Sequence, residues 1–417
     1  MTLSLLLALL VLPTAAAEEG DDDAGRPLSD VVQLHGDIKS FFTGTFPYDS
    51  PLLPPDPTGQ GVVDGRLKLR IDATDDLRFE VHHATTALSE VPGGALGGTS
   101  TGVGLQAPEA VDLSWVAFDD DLTLRGRVDR LNVRGTAGPL TVTVGRQPVS
   151  FGAGLAFTPL DLVNPFTPAV IDQEYKPGVD AARVDAYAGM SSLTVVGAYA
   201  GDWTLPGTVL AAYGQTTVGV TDLGLFLGAV RGDGVVGTSV VTSVGAIGLH
   251  GDLSLTAREE GGDPFVRGVV GGMWRPGPDT TLGAEVYVQT LGAADPADYL
   301  TVAQDPRFAR SEVWLFGRTY GSLNASHQLT PLVMLGGAMI MNIEDGSAFV
   351  APSLGWSLAS NAELGFGGFV GLGKRAGVTS QTFTGPSGTA LEVDVPQLRS
   401  EFGTYPAVAF LQLKTYF

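Results

Sequence analysis

Cysteine is absent from the 417 residues. The chain is therefore neither a disulfide scaffold nor a lipoprotein anchored through an N-terminal Cys, and its loops are held by packing, hydrogen bonds or bound ions. Charge is scarce as well, at 17% of residues, against roughly 25% in an ordinary soluble protein. Positive charge is scarcest: 24 Lys and Arg stand against 45 Asp and Glu, a net charge of −21. That balance excludes nucleic acid as a partner, since phosphates require a basic surface. Long apolar runs are missing too, because beyond the N-terminus nothing approaches the roughly 18 apolar residues of a membrane helix. Yet mean hydropathy is slightly positive, at +0.19. Apolar residues are plentiful but dispersed, as they would be if every second strand residue faced lipid.

Chemical motifs are also wanting. The histidines His35, His82, His83, His250 and His327 show no HExxH spacing, and neither a GxSxG elbow nor a P-loop occurs. The expectation is a protein that is not an enzyme and holds no cofactor or metal. Arg231, Gly232 and Asp233 spell an adhesion tripeptide but read first as a turn. No repeat of solenoid or propeller length is visible.

What is present begins with an apolar segment, Leu3 to Leu12, followed by Pro13 and the small residues Ala15 to Ala17. Residues 1–17 read as a secretory signal, 18–29 as an acidic segment, and 30–417 as one all-β unit. Period-two alternation carries that last reading. Leu67, Leu69 and Ile71 alternate with Arg66, Lys68, Arg70 and Asp72, which is a strand with one apolar and one polar face. Fifty-seven glycines suit turns and crowded strands better than helices.

Strands are expected near 30–42, 62–73, 76–84, 121–134, 139–150, 180–190, 192–201, 207–217, 221–231, 235–247, 250–258, 264–274, 280–291, 310–327, 331–343, 347–358, 362–372 and 404–417. Long connections near 43–61, 85–120, 151–179, 292–309 and 373–403 then all fall on one side, and short turns such as Ser360 to Asn361 on the other. A soluble sandwich has no reason to sort its loops so; a membrane barrel does. The count is eighteen, or sixteen if the region 235–258 is divided otherwise, and Val111 to Phe118 is a candidate extra strand. The fourth strand needs a bulge near Arg130 to keep both Leu124 and Leu131 on the lipid face. Trp203 and Trp314 fall near outer strand ends, and Trp274, Trp356, Tyr416 and Phe417 near inner ends, as interfacial girdles require.

The last residues read PAVAFLQLKTYF, with Ala407, Ala409, Leu411, Leu413 and Phe417 on one face and Gln412 and Lys414 on the other. This resembles the C-terminal strand of bacterial outer-membrane β-barrel proteins. The resemblance implies a single transmembrane antiparallel barrel in the outer membrane, surrounded by lipid and lipopolysaccharide. It also implies recognition by the barrel-assembly machinery through that strand, and a homo-oligomer is compatible with it.

Two features point inside such a barrel. Nine of the 24 basic residues lie between positions 60 and 150, and Arg66, Lys68, Arg70, Arg78, Arg125 and Arg127 share the polar strand face. In a barrel they form a cationic wall. The long segment Phe151 to Val179 is rich in Phe and Pro and carries Asp161, Asp172, Glu174 and Lys176. Too apolar for an external loop, it needs somewhere to pack. In order, length and charge it resembles the third outer loop of the general porins, and the GRQ strand end before it resembles a stretch of several large outer-membrane channel families. That likeness implies a loop folded into the barrel, its acids facing the basic wall and setting the narrowest point, with Arg183 and Asp185 on the same lumen. The expected function is passive diffusion of small hydrophilic solutes or ions. The alternative is a non-conducting barrel acting as scaffold, adhesin or envelope-complex subunit.

Overall fold

The computed structural model describes residues 27, 31–53, 55–89, 108–119, 122–165, 174–384 and 390–417. The expected signal at 1–17 and Asp172 lie outside these residues, as does all of 18–29 save Pro27 and all of 30. Alternation becomes strands throughout: β1 (Val32–Phe46), β2 (Thr58–Asp72), β3 (Leu77–Ser89), β4 (Ser114–Asp119), β5 (Leu122–Ala137), β6 (Leu140–Gln147), β7 (Val179–Ala188), β8 (Ser191–Tyr199), β9 (Thr208–Val218), β10 (Thr221–Val230) and β11 (Asp233–Val244). They continue as β12 (Ile247–Ala257), β13 (Phe265–Gly277), β14 (Thr280–Gln289), β15 (Thr319–Thr330), β16 (Val333–Asn342), β17 (Ala348–Ala359), β18 (Ala362–Leu372), β19 (Gly377–Thr384), β20 (Ala390–Gln397) and β21 (Ala407–Tyr416).

Nineteen of these strands form one sheet, and β19 with β20 make a separate hairpin in the last outer loop. β4 pairs only with the outer half of β5, standing above the short β6. Removing it from the nineteen leaves eighteen antiparallel staves, closed where β21 pairs with both β18 and β1. The segment Val111 to Phe118 thus yields a strand that is not a stave. Among the described residues closure leaves the ring of eighteen staves without a free edge strand, which is what allows a sheet to cross lipid. Among the described residues no helix is long and apolar enough to do so.

The two faces differ as lipid and lumen should. On β10, Leu223, Leu225 and Leu227 are 41%, 53% and 48% exposed, while Phe226 between them is fully buried within the barrel. On β12 the exposed Leu253 and Leu255 alternate with buried Asp252, Ser254 and Thr256. The bulge expected near Arg130 is present: His82 pairs with Arg130 and His83 with Val128. The extra residue, Asp129, is buried beside Arg130, and Leu131 still faces outward. Inner connections are as short as two residues, and Gly219 and Gly245 open two of them at φ of 66° and 61°, a conformation that costs glycine nothing.

One stretch departs from expectation. A strand was expected from 310, but β15 begins at Thr319, and the preceding residues fold inward after three helical turns, at Pro296–Asp298, Tyr299–Val302 and Pro306–Ala309. Trp314 is consequently no girdle residue. It stacks on Phe157, ring centroids 6.1 Å apart, inside the barrel. Val313 and Leu315 are nearly fully buried, so their alternation with Glu312 and Trp314 reflects packing on both sides, not a lipid-facing strand.

Candidate functional site: the barrel interior

The connection between β6 and β7, residues 148–178, is the third outer loop. Its first limb follows the inner wall. Val149, Phe151, Leu160, Leu162 and Val163 join one apolar cluster with Val196 of β8, Val209 of β9, Phe226 of β10 and Val235 of β11. Leu160 lies over Gly237 of β11 so closely that a Cβ there would sit 2.2 Å from its Cδ2. Phe157 carries the limb further, stacking on Tyr287 of β14 and contacting Tyr320 of β15.

Two wall carboxylates pin this limb by its backbone. Asp252 accepts from the N–H groups of Ala153 (3.0 and 2.9 Å) and Gly154 (2.9 Å). Glu285 accepts from those of Leu155 (2.7 Å), Ala156 (2.8 Å) and Phe157 (3.2 Å), and from His250 Nε2 at 2.7 Å. Successive N–H groups converging on carboxylates form an anion-binding concavity, and each such bond is charge-assisted.

The second limb meets the far side. Around the closed ring β12 stands nine staves from β2, and β14 nine staves from β5, so the pins lie diametrically across from the charged wall. There the Tyr175 ring lies between two guanidiniums, with Arg66 Cζ 3.8 Å and Arg130 Cζ 4.8 Å from its centroid. Its hydroxyl is 2.6 Å from His82 Nδ1 and accepts from Arg130 Nε at 3.0 Å. Burial pushes the Tyr175 pKa up to about 12. Glu174 bonds Lys39 of β1 at 2.8 Å and also Lys414 of β21. Burial opposes its ionisation, but the two ammonium groups outweigh burial and hold its pKa down to about 2.

The residues singled out from sequence separate into groups. Arg66 donates to Asp129 (2.9 Å) and lies 3.7 Å from Asp64; Lys68 pairs with Asp37 at 2.5 Å, Arg70 with Asp72 at 2.8 Å and Arg127 with Asp129 at 2.5 Å. Arg125 shares their face, opposite Thr86 in register, and makes no hydrogen bond or ion pair among the described residues. Asp161 pairs within the loop, with Lys176 at 2.6 Å, and burial lowers the Lys176 pKa despite that partner. Arg183 and Asp185 pair with each other at 2.8 Å. The loop thus meets the arginines through Tyr175 and through the Lys176 carbonyl, which accepts from Arg130 at 2.6 Å, and its acid Glu174 meets lysines instead.

No protein-family model matches the chain, and no curated protein is significantly similar in sequence. Solved structures are similar in shape. OccAB2 of Acinetobacter baumannii superposes with a TM-score of 0.57 at 10% identity, covering 93% of this chain and 98% of that one. OccAB3 of the same organism gives 0.54 at 10% identity over 93% and 99%, and OccK3 (OpdO) of Pseudomonas aeruginosa gives 0.52 at 10% over 94% and 97%. The fold is that of the outer-membrane porins.

Within this porin-like barrel, sequence reading passed over Asp252 and Glu285, single acids in otherwise neutral strands. Tyr175, Lys39 and Asp129 are not among the residues it singles out for the lumen, and Lys414 and Arg130 stand out there only as a polar-face position and a bulge site. Their signal was weak but real: each charged residue sits on the polar face of an alternating strand, where burial demands a partner.

Proposed function

We propose that this chain is an outer-membrane channel for passive diffusion of small hydrophilic solutes or ions, narrowed by its third outer loop. The observation that carries this is the attachment of one loop to diametrically opposed walls, with carboxylate pins at Asp252 and Glu285 and a cationic clamp around Tyr175. A loop attached to both walls narrows the lumen, and the passage beside its attachments is bordered by charged side chains that bias which ions pass. Arg66, Arg70 and Arg127 of the β2 and β5 wall are matched by acids, which tempers the field that wall imposes. Arg125 is the lever on that field, because its replacement leaves no paired carboxylate behind.

Planar-bilayer recording of the purified mature protein tests the channel, and wild-type protein that inserts without discrete current steps would reject it. Arg125→Gln is expected to move the reversal potential in a salt gradient toward cation preference at unchanged stability. An unmoved potential would remove Arg125 from the permeation path.

A second reading, a closed barrel serving as surface scaffold or adhesin, is favoured by how deeply the loops fill the interior, with Phe157, Leu160 and Phe402 all at most 2% exposed. Current steps in bilayers would dismiss it.

A further inference from the structure

Inside the barrel, β16, β17 and β18 change character along their length. Toward the outer ends the ring of Phe349 packs on those of Phe369 and Phe402, with centroids 5.0 and 6.2 Å apart. Toward the inner ends the cover thins. One rung of the ladder there runs Met334, Gly355, Gly365, Gln412, each residue the direct register partner of the next. Trp356 and Leu358 are 45% and 47% exposed on the lipid face of β17, which puts Gly355 on the lumen face. A space of about 450 Å³ lies against this rung, edged by Gln328, Ser353 and Glu363.

Glycine inside a strand weakens it, and it marks a bulge or a place that something else approaches closely. The register is regular on both sides of Gly355, so no bulge accounts for it. At neighbouring glycines the protein fills the place itself: an added Cβ would lie 2.4 Å from the Phe410 ring at Gly367 and 2.6 Å from Ser353 Oγ at Gly336. At Gly355 it would meet no atom within 4 Å, and among the described strand glycines that face the lumen no other is so free. Packing does not require this glycine; the open volume is what it preserves. We infer that the passage runs down the inner halves of β16, β17 and β18, and that the missing side chain at Gly355 sets the bulk of solute admitted there. This assignment rests on the channel reading and gives its path a wall. Met334, Gly355, Gly365 and Gln412 carry no charge, so the rung sorts solutes by size, and the sign of charge is left to the wall of β2 and β5.

The chain has no cysteine, so Gly355→Cys carries a single thiol. Full-length mature barrels are recorded in planar bilayers before and after treatment with a neutral, water-soluble methanethiosulfonate, and labelling is followed by mass. Gly355→Cys is expected to be labelled and then to lose most of its current at an unchanged reversal potential. Gly337→Cys, equally open but on the lipid face of β16, should keep its current. In liposome swelling, Gly355→Trp should slow neutral sugars, the largest most. Full current through labelled Gly355→Cys would overturn the assignment, as would a thiol that stays unlabelled in the folded variant or an equal loss at Gly337→Cys. Sugar entry unaffected by Gly355→Trp counts against it in the same way; should that variant fail to fold, the cysteine result decides alone. Wild-type protein without current steps would sink the channel reading and this path with it, whereas wild-type steps together with labelling that leaves the current intact would sink the path alone.

Discussion

The two limbs of the third outer loop reach opposite walls by different chemistry. The first is fixed by burial of Val149, Phe151, Leu160 and Leu162 and by backbone N–H groups on Asp252 and Glu285. The second is fixed by charge: Tyr175 between Arg66 and Arg130, and Glu174 between Lys39 and Lys414. Apolar packing and buried charge-assisted bonds are little affected by salt, whereas partly exposed ion pairs are screened and weak. The difference makes the first limb an anchor and the second the part that can let go.

Removing the pins should break this asymmetry most completely. Asp252→Ala with Glu285→Ala leaves five N–H groups without acceptors, and a buried unmatched group costs about 1–3 kcal/mol. The first limb is expected to detach, with larger conductance steps and new protease cleavage in 150–160, while the wall ladder keeps the barrel heat-resistant. Unchanged steps and unchanged cleavage would mean that the pins hold nothing.

Gly237→Leu attacks the same limb by volume. Its side chain would collide with Leu160, and its Cβ would already stand 2.9 Å from the Leu253 backbone oxygen, and overpacking of this kind costs about 1–3 kcal/mol. Conductance should rise less than with the pins removed, because the carboxylate bonds remain. A rise equal to that of the double alanine variant would place the anchoring in the apolar contact instead.

How much of this was legible beforehand divides along the same line. Strand identity followed from alternation, because lipid on one face and water or packed polar groups on the other impose period two; even the bulge at Asp129 followed from asking where Leu124 and Leu131 must point. The outer ends of β1, β2 and β3 were expected too short, since strands rising above the lipid lose the apolar contrast that marks them. Residues 310–318 alternate for another reason, inward packing on both sides, and so mimicked a strand. The loop's length and Phe content announced that it packs somewhere. Its partners could not be read, because a lone Asp252 or Glu285 on a strand is indistinguishable from a solvated lumen group until the fold brings Gly154 and Ala156 to it.

On the charged side, Tyr175→Ala is expected to loosen the second limb by about 0.5–2 kcal/mol, the range for a cation held against an aromatic face. Tyr175→Phe keeps the ring on Arg66 and gives up only the hydroxyl bonds to His82 and Arg130, so its effect on current noise should be smaller. Equal effects of the two would assign the clamp to the hydroxyl rather than the ring.

The smallest effect expected is that of pH on the Glu174 latch. Its pKa is held at about 2 in the folded barrel, below the roughly 4.3 of a free glutamate. A lowered carboxylate pKa contributes stability that is fully present above the unfolded value and is lost as pH falls toward the folded one. Lowering pH from 7 to 5 should therefore leave the second limb seated, and loosening should appear only between about 4 and 2. Glu174 is 45% exposed, so solvent screening keeps the change small, and added salt should mimic it at neutral pH by the same route. Open-channel noise recorded across that pH range in wild type and in Glu174→Gln checks the assignment: the variant should be noisy throughout and insensitive to acid over this window. Identical acid responses in the two proteins would move the titrating group elsewhere, while the anchor of the first limb, tied by backbone and apolar contacts, would stand unaffected.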